Sequence, residues 1–267
     1  MKNKLASVLF GLTAMTTMSQ AQKYYTVDVA NDALYKINVT TGVATFIGNL
    51  GTDMDGVDLA WHQGALYAKS YGSSTGNRIW QIVTTGMYAG LGLPGALLNG
   101  GGYQGAEAAG LASNGTDLYM TYSNQPPVNF YSTTFGKVNP LTGTLTPVSS
   151  IVTDADAMGY FGGKFWTVDV INSSSGYEIY KGATIPNLYV GFDTYDNSLA
   201  TNPVDMEDYN ASQFVAIGQT GKYVIRLNKS NGKRASFVPI TGAPANAVFK
   251  GLAFEPGCGN SFYINPN

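Results

Sequence analysis

The sequence predicts an all-β chain: a five-bladed β-propeller of four-stranded antiparallel blades, closed by strands from both termini. Three observations carry this. A carboxylate followed by an inner-strand signal recurs about every fifty residues, a period that belongs to propellers and solenoids. Each signal is followed by further short alternating runs separated by Gly-containing turns. The two ends of the chain look like complementary parts of one more unit.

The first observation rests on Asp55 before Asp58-Leu59-Ala60, Glu107 before Gly110-Leu111-Ala112, Asp156 before Gly159-Tyr160 and Asp205 before Asp208-Tyr209; Gly251-Leu252-Ala253 repeats the signal without the acid. Aromatic second strands follow at Leu66-Tyr67-Ala68, Leu118-Tyr119-Met120, Phe165-Trp166-Thr167 and Phe214-Val215-Ala216. Third strands such as Arg78 to Ile82 and Val224 to Leu227 run into turns at Thr85-Gly86 and Asn231-Gly232, and a short outer strand ends each unit. Four strands joined by hairpin turns make a propeller blade. No segment after the first residues sustains a helical period.

The termini complete the count. Tyr24 to Asp28, Leu34 to Asn38 and Val43 to Ile47 read as second, third and outer strands without an inner strand, whereas Gly251 to Phe254 reads as an inner strand with no blade behind it. Joining them in one sheet gives a fifth blade and removes the free strand edges that invite aggregation.

Residues 1–21 read as an export signal: Lys2 and Lys4 lead an apolar run from Leu5 to Met15, and Ser19-Gln20-Ala21 offers small residues for cleavage. The mature domain is expected to span 22–267 and to be secreted or periplasmic, with no later run near the roughly 20 apolar residues of a membrane helix. Charged residues make up only 12% of the chain and the net charge is -2, with no basic cluster to meet nucleic-acid phosphates. A single cysteine, Cys258, leaves no intramolecular disulfide, and a single histidine, His62, leaves no zinc site of the usual nitrogen and sulfur ligands. Gly72-Ser73-Ser74-Thr75-Gly76 matches a nucleophile pattern but falls in a hairpin turn, not at a strand-to-helix elbow.

The repeat form Leu-Tyr-x-Ile-Asn-x-x-Thr-Gly-x-x-Thr, as in Leu34 to Thr45, resembles the repeats of secreted β-propellers in general, and the resemblance implies that fold. The acids leading successive inner strands, Asp55, Glu107 and Asp156, also resemble those of five-bladed glycosidases. That resemblance implies paired carboxylates, one protonated and one ionised, roughly 5 to 10 Å apart.

Inner strands surround a central channel, so Asp55, Glu107, Asp156 and Asp205 are expected to form an incomplete ring with Val248 in the fifth place. Asp53 and Asp154 lie two residues before Asp55 and Asp156, on the same strand side, and the four form the candidate metal set for Ca²⁺, a hard cation that takes oxygen ligands. Acids that converge in this way must be neutralised by a cation or keep protons. The competing reading is that each carboxylate accepts backbone amides of the next blade and locks the ring.

The expected function is binding of a small polar or cationic ligand, a carbohydrate among them, at the acidic channel mouth by Asp55, Glu107, Asp156, Asp205, His62 and Glu207. The alternative is a hydrolase or lyase in which two of Asp55, Glu107, Asp156 and Asp205 share acid–base work, with or without a divalent cation.

Overall fold

The computed structural model describes residues 23–72, 76–98, 110–123, 133–151, 155–172, 176–194 and 202–256. Within them, strands β1 (Lys23–Asp28), β2 (Ala33–Ile37) and β3 (Ala44–Asn49) form three-quarters of a terminal blade. The second blade is β4 (Asp55–His62), β5 (Ala65–Gly72), β6 (Gly76–Ile82) and β7 (Gly92–Leu97). The third is β8 (Leu111–Ser113), β9 (Leu118–Ser123), β10 (Thr133–Val138) and β11 (Leu145–Ile151). The fourth is β12 (Ala155–Phe161), β13 (Lys164–Asn172), β14 (Gly176–Gly182) and β15 (Leu188–Thr194), and the fifth is β16 (Pro203–Asp208), β17 (Gln213–Gly218), β18 (Tyr223–Asn228) and β19 (Arg234–Pro239). The last strand, β20 (Phe249–Glu255), pairs antiparallel with β1 and gives the terminal blade its inner edge.

The chain is thus a five-bladed β-propeller in which both termini share a sheet, as the repeat predicts. Gly72 pairs with Gly76 across the β5–β6 hairpin, and Ser73 to Thr75 of the Gly-x-Ser-x-Gly match lie outside the described residues. Residues 1–22, the Gly-rich run from Asn99 to Gly105 and Cys258 are outside them as well.

The hydrophobic core lies between blades, not within them. Five buried clusters occupy the five blade interfaces. Trp80 and Trp166 are buried in two of these, and Trp61 stacks on Tyr25 at the first with ring centroids 5.8 Å apart. All three tryptophans therefore serve packing between twisted sheets, where large flat rings bury the most area per residue.

The periphery is fixed by turns of the Asn-x-x-Thr-Gly form. Asn38 Oδ1 accepts the amides of Thr40 and Thr41 at 3.0 and 3.2 Å, and Asn139 does the same for Leu141 and Thr142. The glycines that end them, Gly42 and Gly143, have φ of 75° and 69° and press against the outer strand of the preceding blade. A Cβ at Gly143 would stand 2.0 Å from the Leu97 carbonyl oxygen, so both the left-handed backbone and the contact require glycine.

A chain truncated after Val248 is expected to lose cooperative unfolding in a thermal near-UV CD scan, because it lacks the buried Phe249, Leu252 and Ala253 and bares the β1 edge. A sharp transition close to that of the full chain would show that ring closure is dispensable.

Candidate functional site

Each inner strand hydrogen-bonds a neighbour in its own sheet on one edge only. Its other edge faces the axis, where backbone amides need acceptors from elsewhere. Asp58 and Asp205 supply them. Asp58 accepts the amide of Leu59 at 2.8 Å and, with its other oxygen, the amide of Leu111 on the inner strand of the third blade. Asp205 repeats the device: one oxygen takes the Met206 amide at 2.6 Å and the other takes Leu252 on β20. Glu207 adds a second rung to β20 through Phe254 at 3.3 Å, and Asp28 holds Val248 at 2.9 Å, just before β20.

Asp58 and Asp205 come from blades that are not neighbours in the ring, yet their carboxyls are in hydrogen-bonding reach of each other across the axis. Both side chains are buried, at 1% and 0% exposure. Burial drives both carboxyls well above the usual carboxylate range, and Asp58 further opposes ionisation of Asp205. The pair therefore keeps a shared proton.

Beside it lies Lys69, fully buried and directly opposite Asp58 in the β4–β5 register. Its ammonium has no hydrogen-bond partner among the described residues, and burial pulls its pKa down to about 8 despite the attraction of Asp58. Lys250 adds a like charge nearby. One shared proton on two carboxyls leaves a single negative charge, which Lys69 balances. Glu207 is pushed up to about 8 by burial.

The expected ring of Asp55, Glu107, Asp156 and Asp205 takes a different alignment. Counted from the hairpins that pair β4 with β5 and β16 with β17, Asp205 occupies the ring position of Asp58, not that of Asp55. The equivalent positions in the third, fourth and terminal blades are Gly110, Ala157 and Gly251. Two irregularities shift the spacing. The inner strands carry bulges, between Asp55 and Asp58, Ala155 and Ala157, and Pro203 and Asp205. In the fifth blade the inner hairpin also has the longer loop Tyr209–Gln213, closed by a Tyr209 amide bond to the Gln213 carbonyl.

Of the remaining candidates, Asp156 is half-buried and accepts the Val170 amide of its own blade at 2.7 Å, and Asp53 is exposed before β4. Asp55 opens β4, but the placement of its side chain is outside the described residues, as are Glu107 and Asp154. Among the described residues no three His, Cys, Asp or Glu side chains gather as a metal site would need. Sequence reading did not find Lys69, Asp28 or the ring role of Asp58. The signal available for Asp58 was its position directly before Leu-Ala, the same step at which Asp205 precedes Met206.

His62 stands at the other end of β4 from Asp55, about 23 Å away at the strand rise. Its imidazole Nδ1 lies 2.8 Å from Ser113 Oγ, which also accepts the Gly115 amide at 3.0 Å. Burial lowers the His62 pKa, so the ring is neutral at neutral pH. This end of the interface between the second and third blades opens into a groove of about 550 Å³. Its walls include His62, Gln63, Tyr67, Asp117, Lys137 and Asn139. Asp117 and Lys137 pair at 2.6 Å, so the groove carries no unbalanced charge from them. Tyr67 is half-buried, with its ring centroid 6.0 Å from that of His62.

No protein-family profile matches the chain, and no curated protein matches it in sequence. Solved structures do. A chain of the nidogen/laminin complex superposes with a TM-score of 0.55 at 9% identity, covering 87% of this chain and 98% of that one. The glutaminyl cyclase of Myxococcus xanthus gives 0.48 at 15% identity, covering 76% of this chain and 82% of its own. The first likeness supports the propeller fold and nothing finer; the second adds no argument.

The axial proton sets a pH dependence. The carboxyls of Asp58, Asp205 and Glu207 hold protons to higher pH in the fold than in the unfolded chain, so between about pH 4 and 8 the folded state binds more protons and loses stability as pH rises. Lys69, with its pKa lowered, works the opposite way only above about pH 8. The melting temperature is expected to be higher at pH 5 than at pH 8, and Asp205→Asn should flatten that slope. Asp58→Asn, with one acceptor oxygen for two amides, should cost on the order of 2 kcal/mol in urea denaturation at pH 7. A wild-type protein more stable at pH 8 than at pH 5 would rule out the shared proton.

Proposed function

We propose that this is a secreted or periplasmic binding propeller that takes a small polar ligand, and that the ligand enters the groove between the second and third blades. The observation that carries this reading is the groove itself. At about 550 Å³ it falls in the size range of small-molecule sites, and it sets one aromatic face among several polar side chains. Thr144 and Thr146 on its rim are exposed.

The described axial acids favour a different role. Both oxygens of Asp58, Asp205 and Glu207 accept backbone amides, and Asp58 and Asp205 have almost no exposed surface on which a substrate could be attacked. Acid–base catalysis requires a carboxyl within reach of the substrate, and hydrolase or lyase chemistry draws no support from these three.

The test is a thermal-shift screen of small polar compounds at pH 7, followed by calorimetry on hits. Thr146→Trp, which fills the groove from an exposed position on β11, should weaken binding of a true ligand at least tenfold. Asp156→Asn, at the opposite end of the ring, should leave it unchanged. Binding that follows Asp156 and ignores Thr146 would move the site to the channel mouth and overturn the proposal.

A further inference from the structure

The groove combines one aromatic face, a neutral imidazole and a self-balanced ion pair. A charged ligand would find no complementary net charge there. An apolar one would bury Gln63, Asn139 and the threonines of the 139–146 turn against carbon and strip them of water. An uncharged ring with an apolar face and hydroxyls around its edge suits both demands, since it can lay its C–H face on Tyr67 and exchange hydrogen bonds with the polar walls.

The orientation of His62 sharpens this. Ser113 Oγ receives the Gly115 N–H on one lone pair and lies 2.8 Å from His62 Nδ1, to which it can donate its own proton. With Ser113 as the donor to Nδ1, the imidazole proton sits on Nε2, the nitrogen not held by Ser113. We propose that the groove binds an uncharged saccharide ring, with Tyr67 as the stacking platform, His62 Nε2–H as a hydrogen-bond donor to a ring hydroxyl, and Ser113 as the positioning residue that fixes the His62 tautomer. This rests on the groove being the ligand site proposed above.

The experiment uses the full-length protein and a panel of uncharged mono- and oligosaccharides (glucose, galactose, mannose, xylose and N-acetylglucosamine series), with free amino acids and small dicarboxylates as charged comparators. Binding is read by calorimetry and by ¹H–¹⁵N correlation of the imidazole, which is unambiguous because the chain has one histidine. The free protein should show the Nε2–H tautomer, and a bound saccharide should shift the Nε2 resonance. Tyr67→Ala should weaken binding tenfold or more, whereas Tyr67→Phe should retain most of it. Ser113→Ala should mix the tautomers and weaken binding while leaving the melting temperature within a few degrees of wild type.

The failures are separable. Hits confined to amino acids or dicarboxylates, still lost on Thr146→Trp, would overturn the saccharide class and leave the groove as the site. Saccharide binding indifferent to Tyr67, Thr146 and the His62 resonance would overturn both. A free protein with its proton on Nδ1 would overturn the roles of Ser113 and His62 whatever binds.

Discussion

An inner strand in a propeller has a hydrogen-bonded neighbour on one side and the axis on the other, and where Asp58 and Asp205 are buried at this axis the inward amides beside them need acceptors from the protein. Everything else in this molecule depends on how those inward amides are met. Asp58 and Asp205 meet them in the same way, each spanning from its own strand to the inner strand of the next blade. An amide buried without an acceptor costs about 1–3 kcal/mol, so two such acids, with Glu207 and Asp28 beside them, contribute a large part of a domain's marginal stability. The arrangement also brings two carboxyls together at the axis, and their mutual repulsion is relieved by one retained proton and the facing charge of Lys69.

Acids placed for this purpose are poorly placed for others. A carboxylate whose oxygens both receive backbone amides has little capacity left for a ligand or a cation, and burial removes it from substrate. Among the described residues, a polar groove opens at the far end, where the hairpin of the second blade and the turns of the third diverge. The acids that close the ring and the groove proposed above as the ligand site thus lie at opposite ends of the same interface, so the turns around the groove can vary without disturbing the axis.

Much of the fold was legible in the sequence because the relevant signals are local: alternation within Leu66 to Ala68, the turn chemistry of Asn38 to Gly42, and the complementary ends at Tyr24 and Gly251. The site was less so. Blade-to-blade equivalence depends on residues that bulge, and a bulge leaves no fixed mark in sequence, which is why Asp205 aligns with Asp58 although its spacing to Asp208 imitates that from Asp55 to Asp58. Counting back from the two-residue turns at Gln63-Gly64 and Gly162-Gly163 fixes the register in two blades, but the longer loop after Asp208 defeats the same count in the fifth. The pairing of Ser113 with His62 joins segments of two blades whose proximity only the assembled interface creates.

Two acids among five equivalent positions also explain why the ring is not regular. At Gly110 a Cβ would approach Thr121 Oγ1 to 2.6 Å and Met158 Cβ to 2.7 Å, so no acid fits. There Thr121 takes over the task, accepting the Gly110 amide at 2.9 Å and donating to the Ala155 carbonyl of the fourth blade at 3.3 Å. At Gly251, φ of 70° and the nearby Leu59 side chain exclude any larger residue, and the terminal and second blades are joined by packing, with Tyr25 stacked on Trp61. Had all five positions carried aspartate, five carboxyls would meet in a space where even two must share a proton. Two acids with small residues at the other three positions, one of them backed by the Thr121 hydroxyl, keep the charge at the axis within what one lysine can balance.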